Sequence, residues 1–230
     1  MINRKLAIII PTLNESEFII FTLIALQECR EQGHCIILVD GGSSDATLSY
    51  ARPWVDEMVI CTPPQRARQL NAGAAAAKNC DYFLFLHADT VLSAPILLQQ
   101  ILPEFEAQQR AWGYFSVRLS GDNWRLRVVE YMMNQRACWT GIGTGDQGLL
   151  VTQQAFAAVG GFPEIALMED VAICAALKRQ QPPHCLPMRV LTSSRRWERQ
   201  GISKTILLMW TLRLAYALGV SPDYLRQWYR

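Results

Sequence analysis

At 230 residues, half of them hydrophobic, the chain is long enough to bury a sizeable core without help from disulfides or oligomerisation. Its net charge of +2, with basic residues scattered apart from Arg195-Arg196 near Arg199, leaves no electrostatic footprint for nucleic acid. The seven cysteines are odd in number and form no C-x-x-C pair; Cys35 and Cys174 fall in apolar patterns and read as small core residues of a reducing compartment.

Met1 to Lys5 leads directly into the first apolar run, leaving no room for a signal peptide, so a cytoplasmic location is expected. Lys5 to Pro11 (KLAIIIP) predicts the first strand, which stops at Pro11-Thr12-Leu13-Asn14-Glu15. Glu15 to Arg30 reads as a helix, with Asn14 and Glu17 spaced as an approximate capping box. Cys35 to Asp40 (CIILVD) predicts a second strand, ending in Asp40-Gly41-Gly42-Ser43-Ser44-Asp45. Strand, helix, strand in that order predicts a βαβ crossover and a parallel sheet. Glu57 to Cys61 then reads as a short third strand and Gln65 to Lys78 as an Ala-rich helix.

Phe83 to Thr90 (FLFLHADT) is an apolar run of strand length ending in His87-Ala88-Asp89, and a period of two would aim both polar side chains the same way. In open α/β sheets ligands bind outside the carboxyl ends of strands, and a carboxylate there suits Mg²⁺ or Mn²⁺ carrying substrate phosphates. By itself H-x-D is also the pattern of a helix-capping Asp beside a satisfied His. Thr12, Asp40 and Asp89 are all expected on one edge of the sheet, which favours the site.

Pro95 to Gln109 predicts a helix begun at Ser93, Trp112 to Leu119 a strand and Trp124 to Cys138 a helix. Gly141 to Gly148 (GIGTGDQG) lacks both the GK[ST] of a P-loop and the context of a dinucleotide fingerprint, and reads as a mobile loop before the strand Leu149 to Val151. Val171 to Arg179 reads as a helix opened by Glu169-Asp170, two acids that would also suit the macrodipole of any first turn. Ile202 to Val220 is apolar almost all round, with Lys204 and Arg213 on opposite sides, and falls short of the ~20 uninterrupted apolar residues of a membrane span. It is either a helix docked in the core or one resting on a membrane to reach a lipid-linked acceptor.

Five stretches, IIIPTLNE (Ile8 to Glu15), VDGGSSDAT (Val39 to Thr47), ARQLNAGA (Ala67 to Ala74), FLHADT (Phe85 to Thr90) and GGFPEIALMEDVAICAALKR (Gly160 to Arg179), stand in one order along most of the chain. In them the chain resembles the inverting glycosyltransferases of family 2, and its LHADT wording is similar to the small bacterial transferases associated with radical-SAM proteins. The resemblance implies an α/β GT-A fold, a Rossmann-like, mostly parallel sheet flanked by helices, with C-terminal helices. It implies a single domain over 1–230, with 1–110 the donor half, 111–200 the acceptor half and 201–230 a C-terminal helical segment. It also implies a nucleotide-sugar donor, a hydroxyl acceptor, and a divalent cation, Mn²⁺ or Mg²⁺, on the diphosphate.

By that resemblance Asp89 is the last Asp of the family's DxD motif and a metal ligand. His87 stands where the motif has its first Asp; a neutral imidazole supplies less charge and favours softer ions, so His87 reads as a metal ligand or as a group orienting phosphate or ribose. Pro11, Thr12 and Glu15 fall in the first nucleotide-binding loop. Asp40 matches the Asp that hydrogen-bonds base or ribose, with Gly41 where the family has a second Asp; its other reading is a turn-former, and Asp45 reads as an N-cap. Arg66 and Arg68 precede Asn71-Ala72-Gly73, and an Arg fork there fits a diphosphate or a uracil carbonyl, the other reading of either one being a solvated helix-face Arg. Asp170 matches the general base and Glu169 a supporting carboxylate. Arg195-Arg196-Trp197 is similar to the QxxRW motif of processive members, with Ser193 in place of Gln, which argues against a processive polymerase. Arg196 then contacts diphosphate and Trp197 stacks on the acceptor, or they are an exposed charge and a core Trp, and Asp146 lies on the acceptor side. The rivals are a nucleotidyltransferase, which needs a basic loop after the first strand that PTLNESE lacks, and a non-catalytic nucleotide-binding module.

Overall fold

The computed structural model describes residues 5–93 and 98–229. Eight strands form one sheet: β1 (Leu6–Thr12), β2 (Cys35–Asp40), β3 (Glu57–Ile60), β4 (Tyr82–Phe85), β5 (Thr90–Leu92), β6 (Trp112–Leu119), β7 (Leu149–Thr152) and β8 (His184–Thr192). Their order is β3-β2-β1-β4-β7-β6-β8-β5. The β1–β2, β2–β3, β1–β4 and β6–β8 pairings are parallel, and the other three are antiparallel. The chain steps outward from β1 through β2 to β3 and returns on the other side with β4. The carboxyl ends of β1 and β4 therefore flank the point where strand order reverses, which is where such sheets bind ligands.

Alternation along β1 explains why the sheet is covered on both faces. Leu6, Ile8 and Ile10 join one buried cluster with α1 (Ile19–Ala25), α2 (Gln27–Glu31) and α5 (Leu98–Ala107), whereas Ala7 and Ile9 join a second one. That second face is built by α4 (Arg66–Ala76), α7 (Gln153–Ala158) and α8 (Glu169–Gln180). Gly73 lets α4 come this close: a Cβ there would stand 2.4 Å from a methyl of Ile9. α3 (Thr47–Ala51) follows β2, α6 (Trp124–Thr140) covers the far half of the sheet, and α9 (Arg195–Gln200), α10 (Ile202–Ala217) and α11 (Pro222–Trp228) end the chain. Among the described residues no helix is long and apolar enough to cross a membrane.

Several expectations change. The helix expected over 15–30 starts only at Ile19 and breaks at Leu26 into α1 and α2. No Asn14–Glu17 capping box forms: Asn14 has φ 54° and spends its side-chain oxygen on the Ser44 N–H, tying the β1 loop to the β2 loop. The run FLFLHADT is two strands separated by a turn, with the Thr90 N–H on the His87 carbonyl at 3.1 Å. The start of the helix expected over 95–109 lies outside the described residues, as do Met1 to Arg4. Cys174 is buried and Cys35 half-buried, whereas Cys138 and Cys185 are exposed with their sulfurs 3.6 Å apart. In α10, Leu212 and Thr205 are buried, so the helix docks by one face and the other stays outside.

Candidate active site

The loop after β2 is folded by Asp40. Its fully buried carboxylate accepts from the N–H groups of Gly42 and Ser43, each at 2.7 Å, from the Ser43 hydroxyl, and from Thr12 Oγ1 at 3.3 Å. These bonds show Asp40 folding the turn, as one of its two readings has it, and Thr12 locking the β1 and β2 ends together. Gln69 of α4 completes the lock by donating to the Thr12 and Val39 carbonyls, each at 2.9 Å. Pro11 is half-buried within β1.

Next to this lock, one guanidinium joins both ends of the chain. Arg195 donates to both Glu15 oxygens at 2.9 and 2.8 Å, lies 3.3 Å from Asp89 Oδ2 and sits over the Phe18 ring at 4.6 Å. Burial holds the Glu15 carboxyl above its usual value, Arg195 drawing it part of the way back. β8 makes the contact: it pairs with β5, and the Ser193 N–H donates to the Asp89 carbonyl at 3.2 Å, so α9 starts beside Asp89. His87 turns elsewhere, its Nδ1 3.2 Å from Asp146. The turn between β4 and β5 breaks the period of two, so His87 and Asp89 do not form a joint pair.

His87, Arg66, Glu169 and Asp170 line a pocket closed by Gly143 to Gly145. Its accessible space of about 30 Å³ admits water rather than a sugar. Gly145 is packed so tightly that a Cβ would fall 2.3 Å from His87 Nε2. Its N–H donates to Asp170 Oδ2 at 2.9 Å, and a Thr144–Gln147 capping box fixes the same turn, so the segment expected to be mobile is held at both sides. Asp170 is half-buried and faces this pocket, whereas Glu169 is only 6% exposed and lies 4.0 Å from Arg66. Burial first, then the Asp170 charge, pushes the Glu169 carboxyl up. Burial opposes ionisation of Asp146 too, but the hydrogen bond and charge of His87 outweigh it and hold that carboxyl below its ordinary value.

Arg196 stacks on Tyr229 with its guanidinium 3.7 Å from the ring, and donates to the Tyr229 carbonyl at 3.3 Å. Arg68, two residues after Arg66 and so about half a turn round α4, opens instead onto a separate cleft of about 470 Å³ between Pro63 to Gln65, Glu164 to Ala166 and α11. Trp197, read either as stacking on the acceptor or as a core residue, is half-buried and packs against Leu119, Leu126 and Val129. Sequence reasoning missed Gln69, the Arg195 link, Tyr229 and Arg136, whose Nε is buried without a partner. Only Arg195 had a signal, its place in the Arg195-Arg196-Trp197 run.

The glycosyl transferase family 2 model matches residues 7–161, about two thirds of the chain. The chain belongs to glycosyl transferase family 2. No curated protein sequence matches it. Among solved structures, this family 2 chain is similar to a mannosyltransferase of Pyrobaculum calidifontis in complex with GDP-Man and Mn²⁺, at 19% identity and TM-score 0.63, covering 81% of this chain and 56% of that one. It is similar to S. aureus TarS 1–349 in complex with UDP, at 15% identity and TM-score 0.64, covering 82% and 60%. It also resembles glucosyl-3-phosphoglycerate synthase of Mycobacterium tuberculosis in complex with Mg²⁺ and UDP, at 15% identity and TM-score 0.57, covering 83% and 70%. The chain thus spans less than two thirds of the first two structures, and the likeness establishes the shared GT-A fold.

Among the described residues no three His, Cys, Asp or Glu side chains are grouped to hold a metal by themselves. A Mg²⁺ or Mn²⁺ site completed by substrate phosphates and water needs only one or two protein carboxylates. Glu15 and Asp89 fit that description: they already converge on one cation, the Arg195 guanidinium.

Proposed function

We propose that this chain is an inverting glycosyltransferase that moves a sugar from a nucleotide-sugar donor to a hydroxyl acceptor. The observation that carries the reading is the placement of Asp170: a half-buried carboxylate facing a pocket at the same sheet edge as Asp89 and Glu15, backed by buried Glu169. In this reading residues 1–110 hold the donor, 111–200 complete the acceptor side, and the Arg68 cleft, of nucleotide size, takes the donor nucleotide.

The leaving group of such a transfer is a nucleoside diphosphate, whose developing charge must be met by cations. Asp89 would hold Mn²⁺ or Mg²⁺, which neutralises the diphosphate when bound. Arg66 and Arg196 supply further positive charge, Arg196 once Tyr229 is displaced. Glu15 keeps Arg195 in place, and the Asp40–Thr12–Gln69 lock fixes the crevice that the donor enters. Asp170 accepts the proton of the acceptor hydroxyl as its oxygen attacks the anomeric carbon from the face opposite the diphosphate, which inverts the centre. Glu169, with its raised affinity for a proton, supports it from below. His87, braced by Asp146, orients phosphate or ribose rather than ligating the metal. The LHADT wording supports a reading within the radical-SAM-associated subfamily and names no substrate. A nucleotidyltransferase is disfavoured because that chemistry needs a cationic, phosphate-binding loop after β1, and PTLNESE presents the Glu15 carboxylate there and has no Lys, Arg or Gly.

A thermal-shift series with nucleoside diphosphates and nucleotide sugars, with and without Mn²⁺, identifies the donor, because a ligand bound only by the native state raises apparent stability. With that donor, Asp170→Asn should lower turnover by about 10²-fold or more while leaving calorimetric donor affinity near wild type. Near-normal turnover at saturation would remove Asp170 as the base, and failure of every nucleotide to shift the melting temperature would remove the donor reading.

A further inference from the structure

We infer that the outer faces of α6 and α10 dock on an anionic lipid surface. Of the seven tryptophans in the chain, Trp124, Trp139, Trp210 and Trp228 are exposed, and all four lie on α6, α10 or α11. Trp139 is 82% and Trp210 64% exposed, and beside them Tyr131, Leu207 and Leu214 also face outward. Single exposed apolar side chains are ordinary, but here the largest ones gather on neighbouring helices. The helices are neighbours through their inner faces, where Leu126, Val129 and Met133 of α6 pack with Ile202 and Ile206 of α10.

Charge selects the occupant. Leaving aside Arg136, which turns inward toward Asp170 and Asp146 with its Nε buried, α6 and α10 carry four basic residues, Arg125, Arg127, Lys204 and Arg213, and one acid, Glu130, a surplus of +3 in a chain whose net charge is +2. Glu130 is committed to Arg127 at 2.8 Å and to the Leu119 N–H. Arg125, Lys204 and Arg213 make no ion pair among the described residues. A second copy presenting the same basic face would meet it with like charge. A bilayer with anionic headgroups meets it with opposite charge, and its interface is where Trp and Tyr settle beside Arg and Lys.

The docked face borders the acceptor side. α6 leads directly into the turn that carries Asp146, and the inner face of α10 seats Leu212 against Met168, the residue before Glu169. A hydroxyl carried on a lipid would thus be presented near Asp170; this last step rests on the transferase reading, and the docking itself does not.

The test is co-sedimentation of the full chain with phosphatidylcholine vesicles, with and without phosphatidylglycerol. Binding should require the anionic lipid and fall with added salt. Trp139→Ser combined with Trp210→Ser should lower partitioning by about tenfold or more with unchanged circular dichroism, since both side chains are exposed. Lys204→Glu combined with Arg213→Glu should lower it by about fivefold or more. No binding to anionic vesicles, or wild-type binding by either double variant, overturns the inference. So does a dimer in analytical ultracentrifugation that the double tryptophan variant dissolves, which would give the face to a second copy.

Discussion

Arg195→Gln isolates the contact that joins the two ends of the chain. In the wild type one guanidinium faces Glu15 at 2.8 Å and Asp89 at 3.3 Å, with side-chain exposures of 30% for Arg195, 20% for Glu15 and 16% for Asp89. Exposed pairs contribute up to about 1 kcal/mol, and breaking a buried pair costs about 3–5 kcal/mol; this one lies between, so about 2–3 kcal/mol should be lost. For a chain of this length that corresponds to a fall in melting temperature of roughly 4–12 °C. Gln leaves two carboxylates facing each other without a cation, so Mn²⁺ should restore part of the loss in the variant while changing the wild type less. Thermal unfolding in EDTA and in Mn²⁺, for both proteins, reads all four values. Equal stability of variant and wild type in EDTA would refute the energetic importance of the link, and a loss that Mn²⁺ leaves untouched would refute the claim that Glu15 and Asp89 can share a metal.

Glu169→Gln tests the raised carboxyl in α8. A raised folded-state value means that the wild type is favoured below the unfolded value near 4.5 and loses that advantage as pH rises through the folded value, so the variant's melting temperature relative to wild type should improve between acid and neutral pH; a difference independent of pH contradicts it. Gly145→Ala puts a methyl where His87 Nε2 lies at 2.3 Å, so His87 must leave Asp146; a stability loss of about 1–3 kcal/mol in urea unfolding and weaker donor binding are expected, and wild-type values for both would mean that the turn simply gives way. Leu212→Ala removes a fully buried side chain from the cluster with Met168 and Leu225 and should cost about 2–5 kcal/mol in the same assay; a cost near zero would mean that α10 is not docked.

What the sequence disclosed follows from how local each signal is. β2 and β6 appear at their expected bounds, β2 as an apolar run closed by turn residues and β6 as an alternating stretch, and the three-strand parallel core β3-β2-β1 follows from strand order. β8 was not legible: its nine residues include a proline and an arginine, and it is a strand only because β6 and β5 pair with it across the chain. The same long-range pairing brings Arg195 to Glu15, a contact across 180 residues. Period-two reasoning failed at His87-Ala88-Asp89 because a turn, not a continued strand, follows Phe85. Trp197 shows another limit: the sequence left an acceptor platform and a core ring both open, and the ring rests half-buried against the cluster around Leu119.

The two acids that open α8 illustrate how position, rather than residue type, divides roles. Both stand in a first helical turn, where the macrodipole alone would favour negative charge in either. Burial falls on Glu169, and the Asp170 charge beside it adds to the effect, so the Glu169 carboxyl is held above its ordinary value. Asp170 keeps its place through backbone donors on both sides, Gly145 N–H to one oxygen at 2.9 Å and Val171 N–H to the other at 2.7 Å. Asn at 170 could satisfy only one of these donors with its single oxygen, so Asp170→Asn should also cost about 1–3 kcal/mol of stability. A loss of turnover in that variant is therefore evidence for a base only where donor affinity survives, because a collapsed pocket would weaken both.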